Sequence, residues 1–487
     1  MQTRRQFARN IAMAAATLPL LRLSDARGAN AGTGASRPAT ALDVIVIGAG
    51  LSGLKSALLL EEFGARVQVI EARQRIGGRV YTLSKLPGYP EVGGNGFAAG
   101  YGRVLDQAKS QGLALLDSTP RRMKHPKMEL VLDGRILQRD EWSRSALNPF
   151  PETARQRLPW EFGGAFLAAN NPLHGADEWL APANATLDVS LHDWLLAKGL
   201  DERTVNLCWS TNPYFGSSAY DVSTLQCLYN DAWIKAVTLG SPATPSILGG
   251  NYQLPLGMAG RLKQEVHLGK EVIAVRQDPG AAEVTCRDGT VYRAKAVVCS
   301  IPFSVLRHVH FDPGLTGPQA EAVNNLPYMV NTLFFFIPKK KFWEADGLGA
   351  SMWTNGPAGT VGAQRFGANN DEVTGLVANP RGHAATWIDR LPPKEAMRFV
   401  QTEIERLRPA AKGALECVGM HSWARDPYSG GDWAVFAPGQ IQRFANQMAA
   451  PAGRVLFCGE HTAKANRGME GAMESAERAV LEASAML

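Results

Sequence analysis

Three glycines, Gly48, Gly50 and Gly53, stand at G-x-G-x-x-G spacing, and Glu71 follows 23 residues after the first of them. Glycines at those positions permit a tight turn and let backbone approach a pyrophosphate, whose charge then rests at a helix N-terminus. A carboxylate at that remove accepts hydrogen bonds from ribose hydroxyls. It would repel a 2′-phosphate, which argues against NADP, but the stretch alone leaves a nicotinamide and a flavin dinucleotide both open. The segment 71–80, EARQRIGGRV, adds a second glycine turn at Gly77-Gly78 with Arg79 beside it. A simple NAD dehydrogenase needs no second close approach there.

These residues have to be held by particular elements. The apolar run 42–47 predicts a buried strand, 51–63 a helix and 66–71 a second strand, a β-α-β unit that opens a doubly wound sheet. Residues 116–240 are rich in Trp, Pro and Asn, with helices expected over 191–198 and 224–236. Short strands follow at 271–277, 282–286, 291–293 and 296–300, with a hairpin signal at Asp288-Gly289. A long apolar strand is expected over 330–337, and the chain ends with a strand at 455–458 and a helix over 468–486. The fold class is therefore α/β. A doubly wound, Rossmann-like nucleotide domain is assembled from 42–115, 245–305 and 413–487, with an inserted α+β substrate domain from 116–244 and 306–412.

Composition narrows the function classes. The 487 residues are 45% hydrophobic and 20% charged, as in globular proteins. Arg4-Arg5 precede an apolar run at 11–21 and an Ala29-x-Ala31 triplet, the pattern of a twin-arginine export signal over 1–31 and of periplasmic localisation. That leader holds five arginines and one aspartate, so most of the formal charge of +6 belongs to it. No basic patch with interleaved aromatics is present, which speaks against nucleic acid, and no run is long and apolar enough to span a bilayer. The six cysteines form no C-x-x-C pair and the nine histidines no metal-ligand spacing, so no metal site is expected.

Several segments together resemble the flavin-containing amine oxidase family, which includes monoamine, polyamine and L-amino acid oxidases. They are the two glycine turns, EVGGNGF at 91–97, GKEVIAV at 269–275 and FCGEHTAKANRGMEGAMESAERA at 457–479. The resemblance implies FAD. Arg73, Gly78 and Arg79 would lie along the diphosphate, Gly94 and Asn95 against the flavin ring, and Val272 at the adenine. Glu460 would lie by the ribityl-diphosphate, and Met469 would open a helix aimed at the isoalloxazine, whose reduced form a helix N-terminus stabilises. It also implies that Trp423 packs near the flavin and that Trp433 forms one wall of an aromatic cage for an amine.

Four positions depart from the family pattern. Asp432 stands where monoamine oxidases carry a cysteine bonded to FAD, so FAD is expected to be non-covalent. Gly468 stands where a second cage aromatic is expected, with Arg467 beside it and able to take a substrate carboxylate. Gly96 replaces an arginine of several L-amino acid oxidases. Leu333 falls where many members place a lysine linked to oxygen reactivity. The expected reaction is oxidative deamination of an L-amino acid or related amine by hydride transfer to flavin N5. The resulting imine hydrolyses to a keto acid or aldehyde plus ammonia, and electrons pass to oxygen, giving hydrogen peroxide. One alternative is an amine oxidase or dehydrogenase that passes electrons to a periplasmic cytochrome. The others are a flavoprotein desaturase acting on C–C bonds and a non-catalytic flavoprotein. A homodimer is compatible with the sequence.

Overall fold

The computed structural model describes residues 42–117, 127–241, 243–364 and 372–487. The export signal over 1–31 lies outside them. Strand Leu42–Ile47 is buried almost throughout, with Val44, Ile45 and Val46 fully enclosed, as expected of a strand covered on both faces. It pairs in parallel with Val67–Ile70 on one side and Val291–Cys299 on the other, and the latter pairs in parallel with Val455–Phe457. An antiparallel extension, Val272–Gln277 and Ala282–Cys286, completes the sheet with the edge strand His310–Asp312.

Helix Leu51–Glu62 and the C-terminal helix Gly468–Ser484 pack against each other beside this sheet. Two carboxylates tie the C-terminal helix to the N-terminus of helix Gly102–Ser110: Glu477, which takes the Arg103 Nε–H at 2.8 Å, and the more deeply buried Glu470. Glu470, 2% exposed, accepts the backbone N–H groups of Arg103 and Val104, both at 3.1 Å.

A second seven-stranded sheet runs in the order Leu415–Ser422, Thr332–Pro338, Gly375–Asn379, Thr360–Gln364, Ser351–Thr354, Met128–Leu132, Arg135–Leu137, and is antiparallel except where Ser351–Thr354 meets Met128–Leu132. Strand Thr332–Pro338 alternates its side chains between two cores. Phe334 and Phe336 enter one with the helix Pro393–Leu407, while Leu333 and Phe335 enter another with Val92 and Trp423.

Two details differ from the sequence reading. The strands expected at 291–293 and 296–300 are one strand, Val291–Cys299. Its first half pairs with the hairpin partner and its second half with the parallel core, so one run serves two ladders. Strand Leu415–Ser422, in the segment 413–487, pairs in the second sheet, whereas His310–Asp312, in the segment 306–412, pairs in the first. All six cysteines are free.

Candidate active site

The turn after the first strand is built around its glycines. Gly48 has φ of +98°, and a Cβ there would meet Ser300 Oγ at 2.4 Å. A Cβ on Gly53 would meet the Gly48 carbonyl oxygen at 2.0 Å, so this glycine lets the helix begin tightly against the turn. Gly50 is different, because nothing lies within 4 Å of its Cβ position. Across from it Gly78, with φ of +55°, meets only the Gly50 Cα at 3.4 Å. The two glycine turns thus pack against each other at Gly50 and Gly78, while the Cβ direction of Gly50 is left open.

Glu71 holds that turn from below. It is 4% exposed; Oε2 accepts the Ala49 N–H at 2.8 Å and Oε1 the Arg73 N–H at 2.9 Å. Arg73 pairs with Asp426 and donates to Ser429 Oγ at 2.8 Å. Arg79 donates to Glu460 Oε1 at 2.8 Å and to the Asp432 carbonyl, and Glu460 also accepts the Ala434 N–H at 3.0 Å. Two arginines from the second glycine turn are therefore anchored to the loop 426–434.

These groups border one cavity of about 710 Å³, in the upper part of the usual range for ligand pockets. Gly48, Gly50, Glu71, Arg73, Gly78, Arg79, Gly94, Asn95, Val272, Trp433, Glu460 and Met469 all line it. Gly53 does not, since its role is helix packing. Arg467 does not either.

The C-terminal helix opens on the same space. Gly468, with φ of +56°, and Met469 both line the cavity, so the positive end of a 17-residue helix faces it. Arg467 precedes that helix but turns away. Its guanidinium lies 4.8 Å from the Phe215 ring, 5.2 Å from Trp433 and 5.7 Å from Tyr229. It is 6% exposed, and its Nε has no partner among the described residues. The cation is held by these aromatic rings, an attraction that strengthens once water is removed, and by a hydrogen bond from Nη2 to the Ala434 carbonyl at 3.5 Å.

Trp433 forms an aromatic wall with Tyr214 and Phe215, at centroid distances of 5.5 and 5.6 Å. Asp432 lies beside it on the lining, and its Oδ2 accepts the Asn331 side-chain N–H at 2.9 Å. Burial raises its carboxyl above the usual range, opposed by that hydrogen bond and by the charges of Arg79 and Arg381. Trp423 is fully buried and donates its indole N–H to the Val92 carbonyl at 3.0 Å.

Sequence reasoning missed Tyr214, Asn331 and Arg381, all of which line the cavity. They come from loops and strand ends far from the glycine motifs, and no local spacing marks them. Among the described residues no group of three His, Cys, Asp or Glu is arranged to hold a metal, and no helix is long and apolar enough to cross a membrane.

Comparison with known proteins adds to this geometry. The family model described as flavin containing amine oxidoreductase matches residues 51–483. A flavin-containing amine oxidase B of Cavia porcellus is 26% identical over 471 residues, covering 90% of this chain and 85% of that protein. An L-amino-acid oxidase of Bothrops moojeni is likewise 26% identical over 473 residues, covering 90% and 88%. Among solved structures, putrescine oxidase bound to putrescine superposes with a TM-score of 0.72 at 22% identity, covering 91% of this chain and 99% of that one. Cyclohexylamine oxidase from Brevibacterium oxydans superposes with a TM-score of 0.71 at 21% identity, with the same coverage.

Proposed function

The chain belongs to the flavin containing amine oxidoreductase family, and on that premise we propose that it oxidises an amine or amino acid with non-covalently held FAD. The observation that carries this reading is the single cavity that joins the double-glycine cradle to the aromatic wall at Trp433. The residues fit a flavin dinucleotide. Gly50 and Gly78 leave room for a diphosphate, Arg79 brings positive charge, and Glu71 offers a carboxylate at the ribose end. No cysteine is among the described lining residues, which supports a non-covalent mode.

When bound, the flavin supplies the acceptor for a hydride from the carbon that bears the nitrogen. The protein binds, orients and dries the substrate. Enclosure against Trp433 and Tyr214 strips water from the substrate, and that desolvation favours the neutral amine over the ammonium ion, against the rings' own attraction for a cation. The helix N-terminus at Gly468 favours negative charge on whatever is held before it. The product imine then hydrolyses to a carbonyl compound and ammonia or a smaller amine.

A second reading concerns the electron acceptor. Leu333 is buried against Val92 and Trp423 and does not line the cavity; at the start of that strand it is Asn331 that does, so the position facing the cavity carries an amide and not an ammonium group. That supports a protein acceptor such as a cytochrome in place of oxygen. The Arg4-Arg5 segment supports export, which would put such an acceptor within reach.

The test is anaerobic mixing of the purified flavoprotein with a panel of amines and amino acids, following flavin absorbance and ammonia. Bleaching with ammonia release is expected; a flavin that none of them reduces would remove the proposal. Admitting air or oxidised cytochrome c to the reduced protein then distinguishes the two acceptors.

A further inference from the structure

Two arginines stand near the aromatic wall without a carboxylate partner, and the cavity makes use of only one of them. Arg467 does not line the cavity and lies against the rings of Phe215, Tyr229 and Trp433. Arg381 lines the cavity itself. It follows strand Gly375–Asn379 and is carried to the lining by a backbone bridge to Asn331. Its guanidinium lies 5.6 Å from the centre of the Tyr214 ring, which packs edge-on against Trp433. Among the described residues it makes no side-chain hydrogen bond and no ion pair.

An arginine has five N–H donors in a planar fork matched to a carboxylate. A fork that faces a cavity and spends none of those donors on the protein is an unused anion receptor. The nearby acid on the lining, Asp432, feels the charge of Arg381 but makes no hydrogen bond or ion pair with it. That carboxylate takes the Asn331 amide instead, and its carboxyl is pushed towards the neutral form by burial.

We propose that Arg381 is the anion-recognising residue of the substrate cavity, binding a carboxylate or similar anionic group while the reacting amine lies against Trp433. This rests on the amine-oxidation reading for the role of Trp433, but not for the anion site. It moves the carboxylate-binding role that the sequence suggested for Arg467 to a residue just beyond a strand of the second sheet. It also selects the substrate class: amino acids and amines with an acidic tail over plain alkyl amines.

The test compares wild type with Arg381→Gln and Arg381→Lys as flavin-loaded proteins. Phenylacetate and its neutral isostere phenylacetamide are titrated against the flavin absorbance of the oxidised protein. Rates of flavin bleaching are measured with L-phenylalanine and with phenethylamine. In Arg381→Gln the phenylacetate affinity, relative to phenylacetamide, is expected to fall about ten- to a hundred-fold, the range of a lost charge-assisted hydrogen bond. The phenylalanine-to-phenethylamine rate ratio should fall in parallel, with partial recovery in Arg381→Lys. Equal phenylacetate discrimination in wild type and Arg381→Gln overturns the proposal. Loss of FAD content in Arg381→Gln with unchanged discrimination overturns it too, and makes the residue a cofactor contact. If no amine reduces the flavin the amine-oxidation reading fails, while the phenylacetate comparison still decides the anion site.

Discussion

At the scale of single residues, the glycines of the first turn look alike in sequence yet carry different burdens. A methyl group on Gly53 collides with the backbone carbonyl of Gly48, whereas one on Gly50 meets no protein atom and projects into the cradle opposite Gly78. Gly50 has ordinary extended backbone, φ −77° and ψ 178°, at the N-cap of its helix, where glycine and alanine differ by roughly a kcal/mol or less. Gly50→Ala is therefore expected to fold, with apoprotein melting within a few degrees of wild type, and to lose most of its flavin. Gly53→Ala is expected to fail as a fold, with poor soluble yield. Flavin absorbance per protein and thermal melting of the apoprotein separate the two. Similar flavin retention in Gly50→Ala and wild type would show that the cradle does not hold the diphosphate. The motif was legible because its meaning is local, with three glycines, one strand and one helix within a few turns of chain. Arg381 was not legible, because its partner ring Tyr214 lies 167 positions earlier and its role exists only once the second sheet is folded.

Among the elements, the join between the C-terminal helix and helix Gly102–Ser110 combines a partly exposed Arg103–Glu477 ion pair with one buried side chain, Glu470. The first N–H groups of any helix lack intrahelical acceptors. Here Glu470 supplies them from another helix and adds an ion pair with Arg103 at 3.1 Å. Glu470→Ala leaves the backbone donors of Arg103 and Val104 unsatisfied in a buried setting. It is expected to cost about 3 kcal/mol of stability, read as a lower denaturation midpoint, with Glu470→Gln retaining part of it. An unchanged midpoint in Glu470→Ala would mean that water replaces the carboxylate. The helix itself was readable from the sequence, since its apolar positions and opening glycine are contiguous. Its acceptor role was not, because the donors lie more than 360 positions away. Strand Val291–Cys299 shows the opposite failure. Its exposed Val291, Arg293 and Lys295 alternate with inward residues until the strand enters the parallel core, where every residue is buried. A change of pattern inside one strand was read as a break between two.

For the molecule as a whole, the cavity is bounded by residues from Ile47 to Ala472, so a ligand there couples segments that span most of the described chain. Flavin removal is expected to lower the melting temperature, and added FAD to restore it, by about 3 kcal/mol at a hundred times its dissociation constant. Acidity acts on the same framework through Glu91. Its Oε1 accepts the Asn251 N–H at 2.7 Å and its Oε2 the Thr82 hydroxyl at 2.6 Å, while the Asn251 side chain holds the Gly94 carbonyl at 2.6 Å. Burial raises the Glu91 carboxyl from 4.5 to about 7, against the pull of those two hydrogen bonds. A raised carboxyl binds its proton more tightly in the folded state. Its contribution is therefore full below about 4.5 and lost as pH climbs through 7. His421 tilts the other way. Burial lowers it to about 4, so it favours the fold above its ordinary value of 6.5 and withdraws that support as pH falls towards 4. The two slopes offset each other in wild type between pH 5 and 7, and a pH scan of one protein cannot separate them. Comparison with Glu91→Gln can, because His421 is common to both. Measured as denaturation midpoints from pH 4.5 to 8, the variant is expected to gain on wild type by about 3 kcal/mol across that window. A constant difference at every pH would show that Glu91 titrates alike in the folded and unfolded chain and that the Asn251–Thr82 clasp carries no charge coupling.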